Sequence, residues 1–130
     1  MYLLDTNVCV SIINGNKSVM KSFSRKRNDC ALPIVVAAEL YKGAYCSTRI
    51  DSNLLVLNNF LRMLPVIELD LEEAETFGQI QSELKMIGRP TGDLDALIAA
   101  IARSNFATLV THNTKDFENI PGLLLEDWLV

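Results

Sequence analysis

Thr91-Gly-Asp93-Leu-Asp95-Ala-Leu-Ile-Ala-Ala-Ile-Ala-Arg103 is followed, four residues on, by Thr108-Leu-Val-Thr111. Ala96 to Ala102 carries no polar side chain, so a helix there, read from Leu97 to Arg103, has no face for water and must be buried. The short apolar run after it reads as a strand covered on both faces. A buried helix leading straight into a buried strand is the repeating unit of a parallel α/β sheet. Asp93 and Asp95 stand in the opening turn of that helix. The helix dipole favours acids there, and either residue can serve as the cap.

Upstream the same alternation recurs. Leu3-Leu4 is a short strand ending at Asp5, and Val8 to Ile13 is helical up to the turn Asn14-Gly15-Asn16. Residues 17–27 form a basic helix in which Lys17, Lys21 and Arg25, four apart, share one face. Cys30-Ala31-Leu32 is a strand, and Pro33 suits the first turn of a helix running to about Cys46. Residues 52–63 make an apolar helix through Leu54, Leu55, Leu57, Phe60 and Leu61. Val66-Ile67 is a strand. Asp70-Leu71-Glu72-Glu73 resembles a capping box, opening a helix with an apolar stripe at Leu71, Ala74, Phe77, Ile80, Leu84 and Ile87. Gly88 and Pro90 end it, and Leu123 to Leu125 is a last strand. The expected fold is α/β, a three-layer α/β/α sandwich around a short parallel sheet, with residues 1–130 as one domain.

The chain has 130 residues, 49% of them hydrophobic and 22% charged, enough for a core without staples. Cys9, Cys30 and Cys46 are odd in number and dispersed. That argues against a disulfide framework or a zinc site and suits a reducing cytoplasm. No apolar run is long enough to span a bilayer, and no basic segment precedes an apolar one at the N-terminus, so neither a membrane anchor nor a signal peptide is expected. A net charge of −4 counts against nucleic-acid binding at first sight. Two features offset it. Five of the twelve Lys/Arg residues fall within 17–27, and any divalent ions held by the acids would add their own charge.

Most of the sixteen acids read as ordinary surface or loop residues, among them Glu72, Glu73 and Glu75 on the outer side of their helix. Five do not. Asp5 ends an apolar strand, where it is either a helix N-cap or a ligand. Glu39 sits in Pro33-Ile-Val-Val-Ala-Ala-Glu39-Leu, where an unpartnered carboxylate would be costly; it either reaches solvent, pairs with Lys42 or the backbone near Gly43, or meets a cation. Asp93 and Asp95 begin a buried helix. Asp116 follows the strand Thr108–Thr111 by a few residues. In a parallel α/β sheet, groups after strand C-termini converge on one edge, where ligands bind. Like charges gathered there oppose folding unless a cation compensates, and an all-oxygen donor set suits Mg²⁺ or Mn²⁺.

Leu-Leu-Asp5-Thr-Asn7, Ala-Ala-Glu39-Leu-Tyr-Lys-Gly43, Gly-Arg-Pro-Thr-Gly-Asp93-Leu-Asp95-Ala-Leu-Ile-Ala-Ala and Leu-Val-Thr111-His-Asn113-Thr-Lys-Asp116-Phe, in this order and spacing, resemble the PIN domain. The likeness extends over essentially the whole chain and is nearest to the VapC ribonuclease toxins of bacterial toxin–antitoxin pairs. It implies a Mg²⁺- or Mn²⁺-dependent endoribonuclease that hydrolyses RNA with an activated water. Asp5, Glu39, Asp95 and Asp116 would be its catalytic and metal-binding acids, and Asp93 an accessory ligand. Thr111, Asn113 and Asn7 would support them. Arg89, Lys17, Lys21 and Arg25 are the candidates for RNA phosphate contacts. His112, the single histidine, is a lesser candidate for a general base. The resemblance also implies a cognate antitoxin that occludes the site, and a homodimer.

Other acidic-pocket α/β domains compete with this reading. A signalling receiver carries paired acids after its first strand and a mid-chain phosphorylated Asp, but Asp5 is single and Asn53 to Pro65 contains no Asp. A phosphatase of the haloacid dehalogenase class needs Asp-x-Asp where this chain has Asp5-Thr6-Asn7. An inactive PIN-like binding protein would have lost part of the acid set, which here is intact.

Overall fold

The computed structural model describes residues 1–129. Five parallel strands, β1 (Tyr2–Leu4), β2 (Cys30–Pro33), β3 (Val66–Ile67), β4 (Thr108–Val110) and β5 (Leu124–Glu126), form one sheet in the order β3-β2-β1-β4-β5. Six helices connect the first four strands: α1 (Thr6–Ile13), α2 (Lys17–Lys26), α3 (Ile34–Tyr45), α4 (Ile50–Leu61), α5 (Leu71–Met86) and α6 (Asp93–Ser104). The steps from β1 to β2 to β3 travel one way across the sheet, and the step from β3 to β4 returns past β1 to the other side. Right-handed crossovers then put α1 to α4 on one face and α5 with α6 on the other, giving the α/β/α sandwich. A receiver would show the order 2-1-3-4-5, so strand order alone removes that rival.

The reversal of direction falls between β1 and β4, and a crevice opens there at the strands' carboxyl ends. The centre of the sheet is dry. Leu3, Leu4, Leu32, Leu109 and Val110 are fully covered, and so is α6 from Ile98 to Ala102. The alanines of α6 let it lie close to both the sheet and α5.

Several local expectations shift. Pro33 is not in the first turn of α3. It ends β2 in extended conformation and pairs with Ile67, because its missing N–H costs nothing at that position. The capping box at Asp70 does not form, since Asp70 makes no side-chain cap hydrogen bond. The stripe on α5 is correct only in its middle. Ile80 and Leu84 are buried, but Leu71 is 86% exposed and Ile87 lies outside the helix on the surface. The 16 residues of α5 overhang the 12 of α6, by roughly 6 Å at 1.5 Å per residue, so the ends of the stripe have nothing to pack on.

Glu73 was expected on the outside and is buried instead. Its Oε1 accepts from Asn105 Nδ2 at 3.3 Å, and its Oε2 has no hydrogen-bond partner. On α4, Leu57 and Phe60 enter the core while Leu55 and Val56 face outward. On α2, Lys26 leaves the basic surface to pair with Glu126 at 3.1 Å and to stack over Tyr2 and Trp128. Lys17, Lys21 and Arg25 stay exposed. All three cysteines are free thiols, and among the described residues no helix is long and apolar enough to cross a membrane.

Candidate active site

Asp5 stands at the crevice, the first residue beyond β1, with its N–H still donating to Val110 O in the ladder to β4. The chain turns into α1 at this point, and Asp5 caps the helix: Oδ1 accepts from Thr6 N at 2.8 Å. The other oxygen, Oδ2, accepts from the buried Thr111 hydroxyl at 2.8 Å. Capping and site membership are therefore not alternatives for Asp5; one oxygen serves each. The Thr111 hydroxyl itself accepts from Asn113 N at 3.1 Å, which folds the chain after β4 back over the crevice. Asn7 closes the same corner, its Oδ1 accepting from His112 N at 3.4 Å.

Glu39, half-buried on α3, is not satisfied by Lys42. Its Oε1 accepts from Thr6 Oγ1 at 2.7 Å. Thr6 thus holds two acids at once, Asp5 through its amide and Glu39 through its hydroxyl. Nothing local singles out Thr6 beyond its place between Asp5 and Asn7, because its partner lies 33 residues away.

Asp95 lies in the first turn of α6, half-buried, and its side chain does not cap the helix. Gly92 occupies the cap position, with no side-chain hydrogen bond there. Asp116 ends a short 3₁₀ turn, Thr114–Asp116, on the far side of the crevice.

The electrostatics tie these four together. The Asp95 carboxyl is pushed up to about 6, first by burial and then by the charges of Asp5, Asp116 and Glu39. Burial also raises Asp5. The hydrogen bonds from Thr111 and Thr6 oppose that shift, and the charges of Glu39 and Asp116 add to it. Among the described residues, the ion pairs are Lys26–Glu126, Arg103–Glu83 and His112–Asp127, so no cation neutralises any of the four acids.

Two other residues fall outside the group. Asp93 accepts from Gln81 Nε2 on α5 at 3.0 Å, and it is not among the charges that raise Asp5 or Asp95. His112 has its Nδ1 3.2 Å from Asp127 Oδ2, which occupies the ring in a pair apart from the acids. The acids themselves are gathered but not clasped. Among the described residues no three His, Cys, Asp or Glu side chains close on a point that would hold an ion. An all-oxygen set of this openness fits a small hard cation that keeps several waters.

The raised Asp95 pKa has a sign that can be tested. With the folded value near 6 and the unfolded value near 3.8, the folded chain holds the proton more tightly between these limits. The contribution of Asp95 to the stability of the metal-free protein should therefore fall as pH rises from about 4 to 6, and stay lower above. Thermal melts of metal-free wild type and Asp95→Asn across pH 4.5 to 7.5 should diverge, with the variant gaining relative to wild type as pH rises through 6. Parallel curves would mean that Asp95 does not feel the other acids.

The PIN domain family model matches residues 2–123. A curated relative from Shigella flexneri, described as tRNA(fMet)-specific endonuclease VapC, is 38% identical over 128 residues, covering 98% of this chain and 97% of the relative. Ribonuclease VapC2 of Rickettsia felis is 37% identical over 131 residues, covering 98% of each. Among solved structures, the Rickettsia felis VapBC2 complex bound to a promoter DNA fragment superposes with a TM-score of 0.92 at 35% identity, covering 98% of both chains. With matches that span both chains nearly end to end, and the four acids where the fold collects ligands, the chain belongs to the PIN domain family, among its VapC-type members.

Proposed function

We propose that this protein is a metal-dependent endoribonuclease, the toxin of a type II toxin–antitoxin pair, acting in the cytoplasm on RNA. One observation carries the reading: four carboxylates from four separate elements gather at the switch point of the sheet, unpaired by any cation, with Asp95 pushed up to about 6 by burial and then by the charges of the other three. The relatives' names support the choice of RNA over other phosphodiesters, and tRNA(fMet) is the first substrate to test.

Asp5, Asp95 and Asp116 would hold Mg²⁺ or Mn²⁺, with Glu39 beside them. Bound there, such an ion lowers the pKa of a neighbouring water and stabilises the charge that develops on a phosphoryl oxygen. The protein's own share is positional. Thr111 and Thr6 fix the two oxygens of Asp5, so that carboxylate cannot rotate away from the crevice. Thr6 also fixes Glu39 through Oε1, leaving Oε2 to orient the attacking water and take its proton. Attack on phosphorus from the side opposite the 3′-oxygen breaks the P–O3′ bond, and the 3′-oxygen leaves with the electron pair and takes a proton from solvent.

An antitoxin has a place to dock. An apolar groove of about 330 Å³ between α1, α3 and α4, lined by Val10, Ile13, Leu40, Ala44, Val56 and Leu57, runs up to Thr6 and Glu39. A partner lying in it reaches the acids, and the structural relatives solved as VapBC complexes support an antitoxin as the kind of partner. A homodimer of the toxin belongs to the same proposal.

Incubation of tRNA(fMet) with the protein in Mg²⁺ or Mn²⁺, with and without EDTA, tests the activity. Cleavage that stops in chelator and returns when excess metal is added supports the proposal. Undiminished cleavage in chelator refutes it.

A further inference from the structure

Four acids at a catalytic edge repel RNA, so an enzyme of this kind needs cations close by to hold the strand. The basic helix α2 is one candidate, but it packs against the C-terminal segment: Ser18 Oγ donates to Trp128 O, and Lys26 pairs with Glu126. A second set of cations borders one of the acids, Asp116, directly. Beside Asp116 lies a polar cleft of about 270 Å³, lined by Arg89, Thr91, Lys115, Asp116 and Asn119 with Gly88 and Pro90 at its rim. Among the described residues neither Arg89 nor Lys115 has an ion-pair partner.

The backbone holds this cleft in place. At the end of α5, Gly88 takes a left-handed conformation, φ +66. Gly88 N donates to Lys85 O at 3.2 Å, and Arg89 N donates to Leu84 O at 3.0 Å. This paired closure of a helix end fixes the direction in which Arg89 leaves the helix. Pro90 stiffens the next step. Thr91 Oγ1 then donates to Asp116 O at 3.3 Å, tying the Arg89–Thr91 segment to the turn that carries the catalytic acid. The two cations therefore sit on a wall anchored to Asp116 itself.

We propose that this cleft is a nucleotide subsite for the RNA strand. Arg89 and Lys115 hold the phosphate next to the scissile one, and Thr91 and Asn119 meet the sugar with its 2′-hydroxyl. No aromatic ring lines the cleft, so it grips backbone and ribose and does not stack a base. The guanidinium fork of Arg89 suits a phosphate in two-point contact, and Lys115 adds a point charge. The inference rests on the ribonuclease reading above, and the assay separates the two.

Wild type, Arg89→Ala, Arg89→Lys, Lys115→Gln and the Arg89→Ala/Lys115→Gln double variant are compared on one RNA substrate. The double variant should raise KM on the order of tenfold or more, the size of a lost charge-assisted contact, while kcat stays within about twofold. RNA binding, followed in the non-cleaving Asp95→Asn background, should lose about 0.7 from its salt slope, the single-strand value for one phosphate. Arg89→Lys should fall between wild type and Arg89→Ala. If wild type does not cleave RNA with metal, the ribonuclease reading fails. If wild type cleaves but the double variant keeps its KM and salt slope, the subsite fails and the reading stands. A loss confined to kcat also overturns the subsite, because these residues would then act through the position of Asp116.

Discussion

Asp95→Asn should abolish RNA cleavage, with a loss on the order of 10³-fold or more, while the metal-free protein should become more stable. Both halves follow from the same geometry. The substitution removes one of the acids proposed to hold the ion, so the chemistry the ion supplies is lost. It also removes the group whose ionisation the other three acids and burial oppose. A shift from 3.8 to about 6 would correspond to roughly 3 kcal/mol in a dry site. Asp95 is only half-buried, and solvent screening cuts this to about 1 kcal/mol, a few degrees in melting temperature. Because Asp95 makes no cap hydrogen bond, its replacement costs the helix little. Single-turnover cleavage and thermal melts in chelator check the two halves. A variant that loses activity by unfolding would return Asp95 to a structural role, and one that keeps cleaving would remove it from the site.

Asp5→Ala should lose activity to the same degree and lose stability as well. This acid does two structural jobs. Its Oδ1 caps α1, worth about 1 kcal/mol, and its Oδ2 satisfies the fully buried Thr111 hydroxyl, whose loss of a partner costs about 1–3 kcal/mol. Relief of the buried charge offsets part of this, leaving a net destabilisation of about 1–3 kcal/mol. The opposite signs of the two stability changes are the test. Melting temperatures that move the same way for Asp5→Ala and Asp95→Asn would contradict the division of labour described for these carboxylates.

What the sequence revealed and what it concealed can be sorted by where the partner of each residue lies. An all-apolar Ala96–Ala102 opened by Asp93 and Asp95, a short apolar run at Leu3-Leu4 ending at Asp5, and a strand at Thr108–Thr111 with Asp116 a few residues on are local patterns, and they led directly to a parallel sheet with its acids on one edge. Glu39 stood out for the same reason, as one charge in an apolar helix start. The capping box at Asp70 is a local miss, but the other misses involve a distant partner. Glu73 looked like its neighbours Glu72 and Glu75, and nothing near it in sequence announces that Asn105, on α6, will cover it. Asp93 and Asp95 were indistinguishable in a first helical turn until Gln81, on α5, took Asp93 out of the group. Thr6 bridges α1 to α3 through a hydroxyl whose use depends on how those helices cross. The overhang of α5 past α6 is likewise a property of two helix lengths together, which no periodicity within α5 encodes.

In the proposed reaction water, set up by the carboxylate site, cleaves the strand, and not the RNA's own 2′-hydroxyl assisted by a histidine. End-group analysis of the cleaved RNA tests this most directly. Hydrolysis at the P–O3′ bond leaves a 5′-phosphate and a 3′-hydroxyl, and these ends should appear in every metal-supported digest and be absent in EDTA. His112, held by Asp127 apart from the acids, should be replaceable by Ala with the same ends and little loss of rate. Products ending in a 2′,3′-cyclic phosphate, formed in chelator and lost in His112→Ala, would contradict the account.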